Sequence, residues 1–197
     1  TELASLALPE NISEVGAQAF YSTKIASADL SKVDTIGTQA FASTPLTSVV
    51  LKEGANIGDG AFALCDRLKN VENLAKAVQI GAYAFRGTAL ETADLSAAKT
   101  IGDFAFALSK EVKFGKDLET LGENPFYGCE IASFGKTEDV IFGNQAIGKE
   151  LNENYEISAN VKVSNGVLYQ KVPNGLELVS YPMLKTATDY TAETGTV

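Results

Sequence analysis

One short pattern recurs along the chain at a nearly constant interval, and no other feature limits the possible folds as strongly. "VGAQAF", "IGTQAF", "IGDGAF", "IGAYAF", "IGDFAF" and the altered "LGENPF" begin at Val15, Ile36, Ile57, Ile80, Ile101 and Leu121, in steps of 21, 21, 23, 21 and 20 residues. A period of this size marks a solenoid: one coil is too small to bury its own apolar face, so coils stack and share a core. A catalytic loop needs no six copies, whereas a stacked architecture does.

The residues before each motif complete the coil. Leu46, Val49 and Leu51 precede Ile57; Ile25, Ala28 and Leu30 precede Ile36; Leu90, Ala93 and Leu95 precede Ile101. Leu3, Leu6 and Leu8 precede Val15, and Leu68, Val71 and Leu74 precede Ile80, where the last spacing grows from two to three. A spacing of two puts both side chains on one face of a short strand. Each coil therefore reads as a strand, a turn and a returning helical or 3₁₀ segment. Within the motif the leading apolar residue points inward, and the Gly permits a tight turn or a close approach to the neighbouring coil. Ala and Phe then open the return. Phe20, Phe41, Phe62, Phe85, Phe106 and Phe126 are expected to form a buried aromatic ladder, each ring contributing about 1.5–3 kcal/mol by burial.

Chemistry is conspicuously scarce. The 197 residues include no His and two Cys, which removes every His-dependent triad and leaves no metal-ligand spacing. Cys65 and Cys129 fall three coils apart, roughly 15 Å at strand spacing and beyond disulfide reach, so two separate buried thiols are expected. A net charge of −9 with scattered basic residues argues against a nucleic-acid partner. No apolar run is long enough to span a membrane. The ends read as trimmed, so the lack of a leader carries no weight.

"IGDGAFALCDRLKNV", "IGAYAFRGTALETADL" and "LALPENISEVGAQAF" resemble the BspA-like, or Treponema pallidum type, leucine-rich repeat, whose consensus is Ile-Gly-x-x-Ala-Phe-x-x-Cys-x-x-Leu-x-x-Val. The likeness covers about residues 1–135. It implies a right-handed α/β leucine-rich repeat superhelix, short parallel strands alternating with short helical or 3₁₀ segments, in a bacterial surface or secreted protein that binds host or matrix proteins. Copy six departs from the pattern with Asn124-Pro125 before Phe126, and copies one, two, four and five lack the Cys. These read as tolerated losses.

Past residue 135 the period fails, and residues 136–157 give mixed signals. "VKVS", Asn165-Gly166 and "VLYQKV" then carry a strong hairpin signal, and a second turn at Pro173-Asn174-Gly175 leads into "LELVSYP". Residues 136–197 are therefore expected to hold a linker and a small antiparallel β meander, serving as cap or spacer, with "DYTAETGTV" opening a further array.

The outward strand residues define the candidate contact surface, the concave sheet of such solenoids. One column runs Ala7, Asp29, Val50, Glu72 (or Asn73), Asp94, Lys113; the other runs Ser5, Ser27, Ser48, Asn70, Thr92. Asp29, Ser48, Val50, Asn70, Glu72, Thr92, Asp94 and Lys113 are the proposed contacts. A carboxylate-pair hydrolase or a Ca²⁺ site is the sharp reading of Asp29, Glu72 and Asp94. Against it, Asp29 and Asp94 stand roughly 15 Å apart at strand spacing, and no aromatic platform accompanies them. The expectation is a monomeric, extracellular or surface protein-binding module that is not an enzyme and uses no cofactor or metal. A passive stalk is the alternative, and a carbohydrate-binding module or enzyme ranks below both.

Overall fold

The computed structural model describes residues 5–109, 111–115, 117–122 and 125, together with strand segments at 131–134, 155–156, 161–164, 167–172 and 175–180. Each coil of the array contributes two strands. The longer ones are Ser5–Ala7, Ser27–Leu30, Ser48–Leu51, Asn70–Glu72, Thr92–Leu95, Glu111–Phe114 and Ile131–Phe134. The shorter ones are Glu14–Val15, Thr35–Ile36, Asn56–Ile57, Gln79–Ile80, Thr100–Ile101 and Thr120–Leu121, each ending on the apolar residue that opens the repeated motif. Equivalent strands pair in parallel from coil to coil, Ala28 opposite Val49 and Ile36 opposite Ile57. The second strand was not expected from the sequence; two residues are too few to show alternation.

The expected helical return is replaced by overlapping turns. In the second coil Ala40 N–H bonds Gly37 O and Ala42 N–H bonds Gln39 O, each closing a four-residue turn. The intervening Gln39, Phe41 and Ser43 N–H groups point across to Asp59, Ala61 and Ala63 carbonyls of the next coil at 2.8–2.9 Å. Backbone donors thus alternate between their own coil and the neighbour, which satisfies them without a helix. A 3₁₀ turn at Leu74–Lys76 is the helical element among the described residues. The third residue of alternate turns is left-handed, as type II geometry requires: φ is 55° at Gln39 and 58° at Ser43.

The core follows the sequence reading closely. Ile25, Leu30, Leu46, Leu51, Leu68 and Leu95 are fully buried, as are Phe41, Phe62, Phe85 and Phe106. Phe20, Phe41, Phe62, Phe85 and Phe106 stack ring on ring with centroids 5.0–5.6 Å apart. Phe20, on the first coil, is half-buried; Phe126 lies outside the described residues. The motif Gly serves close approach, since its φ is not left-handed. A Cβ at Gly58 would sit 2.8 Å from Ile36 O, and one at Gly81 would sit 2.6 Å from Asp59 N, both backbone atoms of the preceding coil.

The two sides of the array differ in continuity. The short strands form one six-stranded sheet, but the long strands divide into a four-stranded and a three-stranded sheet. The division falls after Asn70–Glu72, in the copy with the 23-residue step. There Asn73 turns left-handed (φ 63°), ends the strand and leads into the 3₁₀ turn. Its side-chain N–H bonds Leu51 O at 2.9 Å, and Leu74 is the buried apolar residue. Farther on, Tyr155–Glu156, Val161–Ser164, Val167–Val172 and Gly175–Ser180 pair antiparallel in that order. Residues 136–154, and residues 165–166 and 173–174 where turns are expected from the sequence, lie outside the described residues.

Candidate binding surface

Parallel pairing brings the outward strand residues into register. Ala7, Asp29, Val50 and Glu72 are successive partners, and so are Ser5, Ser27, Ser48 and Asn70. Across the division, Asp94 partners Lys113 and Thr92 partners Glu111. Asp29, Asn70, Glu72, Thr92, Asp94 and Lys113 are exposed, while Ser48 and Val50 are half-buried. Glu72 and Asp94 occupy consecutive coils but are not strand partners, because the sheet is broken between them.

Two of the carboxylates on this face have a local task. Asp29 accepts the Ser31 N–H at 3.0 Å, and Asp94 accepts the Ser96 N–H at 3.0 Å as well as its hydroxyl. "Asp-Leu-Ser" therefore closes an Asx-type turn at the strand end in both coils. The Ser31 hydroxyl and then its amide hold the Asp29 carboxyl below the usual carboxylate range. Such carboxylates are committed to their own backbone before any ligand arrives. The face is polar, open and shallow in chemistry.

The side chains typical of protein contacts lie elsewhere, on the turns. Tyr83 and Phe104 fill equivalent left-handed slots of consecutive coils, and their rings stack at 5.5 Å with planes 3° apart. The Arg86 guanidinium lies over the Tyr83 ring, 5.6 Å from its centroid. Leu64 and Leu108 are the most exposed large apolar residues there, at 60% and 61%. The signal for this cluster was present as "IGAYAF" and "IGDFAF", where an aromatic enters a free motif position. It is visible only once that position is known to face outward.

A family model described as the BspA type leucine-rich repeat region matches in six copies, over residues 1–91 and 34–154. The chain belongs to that family. No curated protein matches it. Among solved structures, a leucine-rich repeat protein from Eubacterium ventriosum is 23% identical with a TM-score of 0.55, over 83% of this chain and 40% of that one. A leucine-rich cell surface protein from Faecalibacterium prausnitzii is 18% identical (TM-score 0.49, 91% and 53% covered). The pneumococcal vaccine antigen PcpA is 17% identical (TM-score 0.48, 91% and 36% covered). This BspA-type chain thus spans less than two thirds of each.

Membership also explains the residue that follows each ladder Phe by three. The consensus Cys stands at Cys65, but Thr23, Thr44, Thr88 and Ser109 hold the same position in other coils. Thr23, Thr44 and Thr88 hydroxyls donate to the carbonyls of Phe20, Phe41 and Phe85 at 2.8–2.9 Å. Cys65 Sγ instead reaches the previous coil, 3.1 Å from Phe41 O and 3.3 Å from Thr44 Oγ1. The absent cysteines are exchanges of one small polar core group for another. Burial pushes the Cys65 thiol pKa up, which suits a structural thiol. Cys129 lies outside the described residues.

Proposed function

We propose that this BspA-type array is a non-catalytic protein-binding module of a bacterial surface or secreted protein. It engages a host or matrix protein through the strand face, with Asp29, Ser48, Val50, Asn70, Glu72, Thr92, Asp94 and Lys113 as contacts. The observation that carries this reading is the register of outward side chains on hydrogen-bonded strands, Asp29, Val50 and Glu72 in one sheet and Asp94 and Lys113 in the next. A rigid, periodic display suits an extended macromolecular contact better than a concave small-molecule site. On this reading the chain acts as a monomer. Residues 1–135 form the array, and residues 136–197 supply a linker and an antiparallel cap or spacer.

The test is direct binding of the chain to a panel of purified extracellular-matrix and host surface proteins. Saturable binding that weakens in Glu72→Gln and Asp94→Asn supports the module. Asp94→Asn keeps an acceptor for Ser96, so the strand end should survive. No binding to any member would favour a passive stalk, in which the coils only set distance.

A further inference from the structure

The turn side carries a feature that neither coil stacking nor the strand-face reading requires. In the first two coils the left-handed slots hold Gln18, Ser22, Gln39 and Ser43, polar residues that suit an exposed turn. From the third coil to the fifth, two of the same six slots hold Gly60 and Gly87, and the other four hold Leu64, Tyr83, Phe104 and Leu108, with φ of 59°, 59°, 51° and 71°. A left-handed conformation is costly for large side chains, at roughly 1–2 kcal/mol per residue. Leu64, Tyr83 and Leu108 are exposed, so little core burial offsets that cost. Strained, exposed apolar residues clustered in one region point to a surface kept for contact.

The chemistry of the cluster narrows what it fits. Tyr83 and Phe104 cover one face of each other and Arg86 lies over the Tyr83 ring, so the Tyr83 faces are taken, while the Leu64 and Leu108 side chains stand exposed. Sugars stack on open aromatic faces, so this arrangement suits aliphatic or aromatic side chains of a protein. Gly87 separates Leu64 from Leu108 in the same slot, and the Leu64 side chain leans over it, with Cδ2 3.2 Å from where a Cβ would stand. The charge narrows it further. Lys52, Lys76 and Lys99 each pair with a carboxylate of a neighbouring coil; Arg86, like Arg67 and Lys69, makes no ion pair among the described residues, and it is the cation that lies against the aromatic pair. On a chain of net charge −9, that arrangement disfavours a second copy and favours a partner that brings its own carboxylate.

We propose that the turn face of coils three to five is a second docking surface, built for a protein segment that sets an acidic residue beside large apolar ones. The apolar side chains pack among Leu64, Leu108, Tyr83 and Phe104, and the carboxylate meets Arg86. This surface is independent of the strand face and stands or falls separately.

The test is selection of a random displayed-peptide library on the intact chain, followed by affinity measurements with the enriched synthetic peptides. Enrichment of Asp or Glu next to Leu, Phe or Trp is expected. Affinity should fall about ten-fold or more in Arg86→Glu and in Leu108→Ser, the size typical of interface anchors. A peptide with its acid changed to Lys should recover binding to Arg86→Glu. Phe104→Asn supplies the fold control, because Asn suits a left-handed slot: binding should drop while thermal stability holds or rises. Enriched peptides without an acidic and apolar bias, or equal binding to Arg86→Glu, overturn the proposal. Self-association abolished by Leu108→Ser overturns it as well, by assigning the face to a second copy.

Discussion

The short-strand sheet and the long-strand sheet are laid down by the same coils, yet one runs unbroken through six strands and the other splits. The difference lies in what each side demands of every coil. On the short-strand side the motif Gly lets backbone touch backbone, and Phe rings stack at about 5 Å, the spacing set by the strands. No extra residue fits there. On the long-strand side the chain can leave the ladder at Asn73, form a 3₁₀ turn and return with Leu74 buried. Coil register is therefore held by the motif side, and the strand side is free to vary.

The largest expected effects test that assignment at its strongest point. Phe62→Ala should destabilise the array by about 3–5 kcal/mol, because a fully buried ring is lost between two others. Chemical denaturation measures it. Gly81→Ala should follow at about 1–3 kcal/mol or more, since the new Cβ meets backbone that cannot move without displacing the coil. If Gly81→Ala were neutral while a strand-face substitution such as Val50→Thr were severe, the comparison would be reversed.

Much of the motif side was legible because its requirements are steric and periodic. The ladder phenylalanines, the inward Val49 and Leu51, and the Gly followed by Ala-Phe each recur at fixed intervals. The return segment was misread as helical for a physical reason. Left-handed turns usually announce themselves through Gly or Asn, but here Gln18, Ser43, Leu64 and Tyr83 adopt them. The cross-coil hydrogen bonds that stabilise these residues are invisible in a sequence. The binding surface was the least legible part. The outward strand columns could be aligned from spacing alone, but that spacing could not show Asp29 and Asp94 bonding to Ser31 and Ser96.

On the strand side, the sensitive point is the device that ends the interrupted strand. Asn73→Ala removes the side-chain N–H from Leu51 O and should cost about 1–2 kcal/mol. Asn73→Gly, which keeps the left-handed backbone but not the hydrogen bond, separates the two contributions. A loss in Asn73→Ala that Asn73→Gly fully restores would show that backbone conformation alone matters there.

The smallest expected effect, and the finest test of the motif side, concerns the column that mixes Thr, Cys and Ser. Cys65 is fully buried, and its pKa is raised in the folded chain because burial disfavours the thiolate. A raised folded pKa means that stability is complete below the ordinary thiol pKa, then declines as pH climbs from there towards the folded value. The wild-type array should therefore lose stability in mildly alkaline solution as the unfolded thiol ionises. Cys65→Thr should remove that slope. At neutral pH it should cost under about 1.5 kcal/mol, because Thr44 and Thr88 already occupy the equivalent position with a hydroxyl donating to the Phe carbonyl three residues back. Denaturation midpoints from neutral to alkaline pH for both proteins measure it. A slope that persists in Cys65→Thr would place the titrating group elsewhere. A large loss at neutral pH would mean that the reach of Sγ to Phe41 and Thr44, rather than a small polar filler, holds the second and third coils together.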